Sequence, residues 1–117
     1  MLKAIPDATF IVVPDSLAAF QQIAAWHRNH FSIPVIGITG SNGKTIVKEW
    51  LFELLHPTKT ITRSPKSYNS QTGVPLSVWL LDDKSQIGIF EAGISRMNEM
   101  DKLEPVIKPT IGIFTNI

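Results

Sequence analysis

The sequence predicts an α/β fold, three layers deep, with a mainly parallel sheet and helices on both of its faces. Three observations carry that expectation. Short apolar, β-prone runs alternate along the 117 residues with longer segments whose apolar positions recur at helical spacing. Two of the runs, residues 86–90 (QIGIF) and 110–115 (TIGIFT), are apolar on both faces, as strands covered on each side are. A third, with Val35, Ile36 and Ile38, passes Gly37, Gly40 and Gly43 and leads straight into an amphipathic helix.

Taken in order, residues 9–13 (TFIVV) are expected to form a short strand, closed by Pro14 and followed by a helix that Asp15 or Ser16 caps. Leu17, Phe20, Ile23, Ala24, His27 and Phe31 trace one stripe of that helix, and Trp26 lies off it. Pro34 pushes Ile33 out of the helical region and opens the next strand. Beyond the glycine turn, Ile46, Val47, Trp50, Leu51, Leu54 and Leu55 have the spacing of one helix face. Residues 60–63 are β-prone, and 64–73 form a polar loop of the length at which function is common. Residues 74–81 read as helix, because Pro75 suits a first turn and no turn signal interrupts them. The strand at 86–90 runs into Glu91, Ala92 and Gly93. A helix over residues 98–107, with Met97, Met100, Leu103, Val106 and Ile107 as its apolar side, is stopped by Pro109 before the last strand. The expected order is β-α-β-α-β-α-β-α-β.

Composition narrows the classes. With 44% hydrophobic residues the chain can bury one modest core. Eleven basic against ten acidic residues leave a formal charge of +1 and no charge run, so no nucleic-acid face is expected. Without cysteine there is neither a disulfide nor a thiolate metal site. His27, His30 and His56 are scattered and lack metal-ligand spacing. The first residues lack the apolar core and cleavage site of a signal peptide, and no apolar run approaches a membrane span. A cytoplasmic chain without membrane insertion is expected, of unknown oligomeric state.

The glycine turn holds the chemistry. In Thr39-Gly40-Ser41-Asn42-Gly43-Lys44-Thr45 the glycines let successive backbone N–H groups turn inward at a helix N-terminus, where unpaired donors and the helix dipole attract phosphate. Lys44 is placed to reach the β- and γ-phosphates of a nucleotide, and the Thr45 hydroxyl to bind a bridging Mg²⁺. The bland alternative is an ordinary strand-to-helix turn; the strand before, the helix after and Lys-Thr at the junction favour phosphate binding. The common spacing G-x-x-x-x-G-K-[ST] would put a glycine where Ile38 stands, so the loop is a variant of the phosphate loop. Glu91, at the carboxyl end of an apolar strand, falls on the sheet edge where such a loop opens. A hard cation is its expected ligand, and a solvated strand-end acid the bland alternative.

That loop, T-G-[ST]-N-G-K-T, resembles the phosphate loop of the Mur ligase superfamily, the ATP-dependent amide-forming enzymes of peptidoglycan synthesis and folate polyglutamylation. The likeness extends along most of the chain. Asn69-Ser70-Gln71-Thr72-Gly73-Val74-Pro75-Leu76-Ser77 resembles the N-x-x-x-G-V-P-L-[ST] segment of the branch that adds a dipeptide to a UDP-sugar tripeptide. Phe90-Glu91-Ala92-Gly93 resembles the superfamily's metal-binding glutamate strand. Ser95-Arg96, Lys108-Pro109 and Thr115-Asn116-Ile117 are similar to further segments of that branch. Gln71 stands where an acidic residue is common there, so it is given no metal role.

The resemblance implies a phosphate-loop NTPase-like fold with ATP and Mg²⁺ as cofactors. Residues 39–45 would bind the nucleotide, Lys44 and Asn69 would be catalytic, and Thr45 and Glu91 would be metal ligands. The implied reaction joins D-alanyl-D-alanine to UDP-N-acetylmuramoyl-tripeptide through an acyl phosphate, so the partners are small-molecule substrates. Another ligase of the superfamily, such as folylpolyglutamate synthase, or a non-ligase phosphate-loop ATPase domain, is the alternative. Lys48 is left two-sided, as a support of the site or an exposed helix lysine. A histidine shortly after Asn-Ile, a later modified lysine and a separate C-terminal domain belong to the superfamily's complete site. The chain is therefore expected to be a piece of a larger ligase, inactive alone. Residues 1–31 would be the end of an N-terminal region and linker helix, and 32–117 a central ATP-binding domain.

Overall fold

Side chains alternate across a strand, so every strand residue belongs to one of two layers. The computed structural model describes residues 6–116 and shows this sorting. Its elements are α1 (Ser16–Arg28), β1 (Val35–Thr39), α2 (Lys44–Leu55), β2 (Ile61–Arg63), α3 (Gly73–Val78), β3 (Ile87–Glu91), α4 (Glu99–Ile107) and β4 (Ile111–Phe114). The four strands are all parallel, in the order β2-β3-β1-β4. On one face Ile36, Ile38 and Ile89 pack with Val47, Leu51 and Leu55 of α2. On the other, Val35, Phe90 and Ala92 pack with Ala24 of α1, Val74 and Val78 of α3, and Leu103, Val106 and Ile107 of α4. Helices thus cover both faces. Glu91 shares the parity of Ile87 and Ile89, which sends its side chain to the α2 layer.

Several expectations change. Residues 9–13 form no strand and are exposed; β-prone side chains do not make a strand without a ladder partner, and the sheet offers them none. The order is accordingly α-β-α-β-α-β-α-β. The last strand is not buried on both faces: as β4 it lies at the sheet's edge, with Ile111 and Phe114 exposed. In α1 the buried residues are Gln21, Ala24 and Arg28, whereas Leu17 and Ile23 are exposed. The α2 apolar set divides into a packed row (Val47, Leu51, Leu55) and an exposed one (Ile46, Trp50, Leu54). α3 ends at Val78, sooner than expected.

Arg28 explains why a charged residue sits in the α1 core face. Its Nε donates to Ile107 O at 2.7 Å, Nη1 to Phe31 O at 2.7 Å and Nη2 to Lys108 O at 2.8 Å. It thereby satisfies carbonyls at the end of α4, where Lys108 adopts φ 44°. Burial pushes the guanidinium pKa below its ordinary value. Arg28→Met keeps the stem but leaves those carbonyls without a donor, and is expected to cost about 2–3 kcal/mol. Urea unfolding measures it: a lower midpoint at unchanged slope is expected, and an unmoved midpoint would contradict the role.

Candidate functional site

The loop begins where β1 ends, and β3 ends beside it. Ile38 pairs with Glu91 in the β1–β3 ladder, and Ala92 N donates to Ile38 O at 2.8 Å. Thr39 Oγ1 donates to Ala92 O at 3.0 Å, tying the two strand ends together. Gly40 takes φ 137° and Gly43 takes φ 84°, values that residues with a Cβ avoid. Gly43 is the N-cap of α2, so Lys44 and Thr45 are its first two residues, where helix N–H groups lack partners within the helix. Ser41 and Asn42 are exposed.

The segment after β4 buttresses this loop. Ser41 N donates to Asn116 O at 3.1 Å and Asn42 N to Asn116 Oδ1 at 2.9 Å. Thr115 Oγ1 donates to Asn42 O at 2.5 Å. Lys44 Nζ donates to Gly40 O at 2.6 Å, so the ammonium lies across the loop at its mouth.

Glu91 is fully buried and meets α2 twice. Thr45 Oγ1 donates toward Glu91 Oε1 and Oε2, at 3.0 and 3.1 Å. Lys48 Nζ forms an ion pair with Glu91 Oε2 at 2.8 Å, with neither side chain exposed. Lys48 is therefore no surface lysine; lying three residues past Thr45, it shares that residue's helix face. Asn69 lies across from the loop end of β3: its carbonyl accepts from Gly93 N at 2.7 Å, and a Cβ on Gly93 would fall 2.7 Å from Asn69 Oδ1. Lys44, Asn69, Gly93 and Glu99 line a cavity of about 380 Å³. Ser95 N donates to Glu99 Oε2 at 2.7 Å, and this bond is the main reason the Glu99 carboxyl is held below its ordinary pKa.

The fold thus gathers the loop, Lys44, Thr45, Asn69 and Glu91 at one end of the sheet. The donor set suits Mg²⁺ together with phosphate: a hydroxyl and a carboxylate, both hard oxygen donors, beside an anion-attracting helix end. Sequence reasoning did not find Ser64. It is buried in a loop and accepts from Glu91 N through Oγ at 3.0 Å. No periodicity marks such a residue.

Fold and loop together define a phosphate-loop α/β domain. A profile of the Mur ligase middle domain matches residues 38–117, and the chain belongs to that family. Among its relatives are the UDP-N-acetylmuramoyl-tripeptide–D-alanyl-D-alanine ligase of Synechocystis, 37% identical over 106 residues, and that of Bacillus subtilis, 34% identical over 107. These matches take in 91% and 92% of this chain and 23% of each relative. A crystal structure of MurF from Acinetobacter baumannii superposes with a TM-score of 0.86 at 29% identity, covering 92% of this chain and 24% of that one. MurF ligase from Thermotoga maritima, solved in complex with ADP, gives 0.83 at 29% identity, covering 92% of this chain and 25% of that one. The chain spans about a quarter of the length of these relatives. No helix among the described residues is long and apolar enough to cross a membrane.

Proposed function

We propose that this chain supplies the phosphate- and cation-binding part of an ATP-dependent carbon–nitrogen ligase of peptidoglycan precursor synthesis. The reaction proposed for the whole enzyme joins D-alanyl-D-alanine to UDP-N-acetylmuramoyl-tripeptide through an acyl phosphate. One observation carries the reading: Lys44 and Thr45 at the start of α2 converge with buried Glu91 at the ends of neighbouring strands β1 and β3. That the related proteins are ligases of this kind, one of them with ADP bound, supports it.

In this reading the amides of residues 40–45 and the Lys44 ammonium hold the phosphates of ATP. Lys44 moves from Gly40 O to the β/γ-phosphate oxygens. Thr45 and Glu91 hold Mg²⁺, which supplies charge neutralisation as phosphate is transferred. Asn69, which lines the same cavity as Lys44, orients the carboxylate to be activated. The division into residues 1–31, closing an N-terminal region, and 32–117, a central ATP-binding domain, is part of the proposal; the start of the family match at residue 38 supports it. Ligation itself requires the full length of such an enzyme, of which this chain matches about a quarter.

Calorimetric titration of the chain with ATP and Mg²⁺ tests the site. Lys44→Ala is expected to weaken ATP binding about 10- to 100-fold, the worth of a charge-assisted phosphate contact. Equal affinity in both proteins would remove Lys44 from the site. ADP formation by the full-length enzyme that depends on both the peptide carboxylate and the dipeptide amine would support the ligase; hydrolysis indifferent to both would indicate a plain ATPase.

A further inference from the structure

Lys48 carries a charge, is wholly buried, and has no part in the proposed chemistry. An ammonium has three N–H groups. Here they have Glu91 Oε2 at 2.8 Å, Ser64 O at 2.8 Å and Lys66 O as acceptors. Lys66 reaches this position with φ 49°, uncommon for a residue with a side chain. Ser64 closes the circuit: its Oγ accepts from Glu91 N, and its own N–H donates to Ile89 O at 3.0 Å. Among the described residues no buried side-chain nitrogen or oxygen lacks a partner.

Two features depend on that ammonium. One is the rotation of the Glu91 carboxylate, which Lys48 holds by Oε2 while the Thr45 hydroxyl lies against both oxygens, at 3.0 Å from Oε1 and 3.1 Å from Oε2. The other is the path of the loop after β2. That loop is tied to α2 by the carbonyls of Ser64 and Lys66 at its start, and to β3's end by the Asn69 carbonyl. Since α2 is also the helix that Lys44 and Thr45 begin, one side chain locks three pieces of the site into a single body.

We propose that Lys48 is a positioning residue for the cation side of the nucleotide site, turning Glu91 toward Thr45 and fixing the 64–66 segment to α2 without touching nucleotide itself. The proposal rests on the nucleotide-site reading above. It separates two contributions to binding. The loop amides and Lys44 act on bare ATP, whereas the Glu91–Thr45 pair acts through Mg²⁺.

The test is ATP binding to the 117-residue chain by calorimetry, with Mg²⁺ and with EDTA, in wild type, Lys48→Met and Lys48→Gln. Partners that orient a metal ligand are worth about 10- to 100-fold in metal affinity. In the variants the Mg²⁺ enhancement of ATP binding is expected to fall about tenfold or more, with affinity for bare ATP held within about twofold. Equal weakening with and without Mg²⁺, or an unchanged enhancement, would overturn the role of Lys48 alone. No ATP binding by the wild-type chain would overturn the nucleotide-site reading, and this proposal with it. Should both variants fail to fold, Lys48→Arg, which keeps the counter-charge of Glu91 but not the position of the ammonium, is titrated in their place. A fall of the Mg²⁺ enhancement by about tenfold supports the proposal, and an unchanged enhancement, or a failure of this variant also to fold, overturns it.

Discussion

Glu91→Gln is expected to destabilise the chain by about 3–5 kcal/mol, and Glu91→Gln combined with Lys48→Met to recover most of that loss. The single substitution takes from the buried Lys48 ammonium its nearer counter-charge, leaving only the partly exposed Glu49 carboxylate at 3.5 Å, and removing one partner of a buried pair costs about that much. Removing both partners eliminates the uncompensated charge and is often close to neutral. Domains of this size have only about 5–15 kcal/mol to lose. The single variant should therefore unfold at a much lower urea concentration, and a double-mutant cycle should return a coupling of several kcal/mol. Additive effects of the two substitutions would show that the pair does not couple. In a full-length enzyme carrying the proposed site, Glu91→Gln is further expected to lower kcat about 10²-fold in a steady-state assay, because in that reading a neutral amide no longer stabilises the cation as charge develops.

Gly40→Ala is the second large effect. The backbone there has φ 137°, and an added Cβ would lie 2.0 Å from Thr115 Oγ1 and 3.0 Å from both Asn116 N and O. Rotation of Thr115 relieves the first clash but breaks its bond to Asn42 O, and the backbone contacts do not yield. Conformational strain and overpacking together are expected to cost about 3 kcal/mol or more. Because the same atoms shape the loop, ATP binding should fall about tenfold or more with it. Two other glycines calibrate this figure. Gly43 has φ 84° but nothing nearer than 4.0 Å to a new Cβ, so Gly43→Ala should cost only the strain, about 1–2 kcal/mol. Gly112, in β4, has nothing within 4 Å, and Gly112→Ala should be neutral or stabilising by up to about 1 kcal/mol. Thermal or urea unfolding of the three variants gives the order directly. Equal costs at Gly40 and Gly112 would contradict the packing of residues 115–116 under the loop.

The layered parallel sheet, the phosphate loop at the start of a helix and an acid at the end of a neighbouring strand were legible in the amino-acid order. Each rests on a local property: strand and helix periods, the conformational freedom of glycine, and a carboxylate following an apolar run. Tertiary structure alone decided the rest. Residues 9–13 are as β-prone as β1, yet only β1 has strands on both sides to complete its ladder. Ile46, Trp50 and Leu54 are as apolar as Val47, Leu51 and Leu55, and only the sheet's position tells which row is covered. Lys48 had two sequence readings of equal weight; the insertion of β3 between β2 and β1 brings Glu91 to it and makes a buried ammonium tenable. Local pattern states what a side chain is able to do, whereas burial and pairing depend on which distant segment the sheet order brings against it.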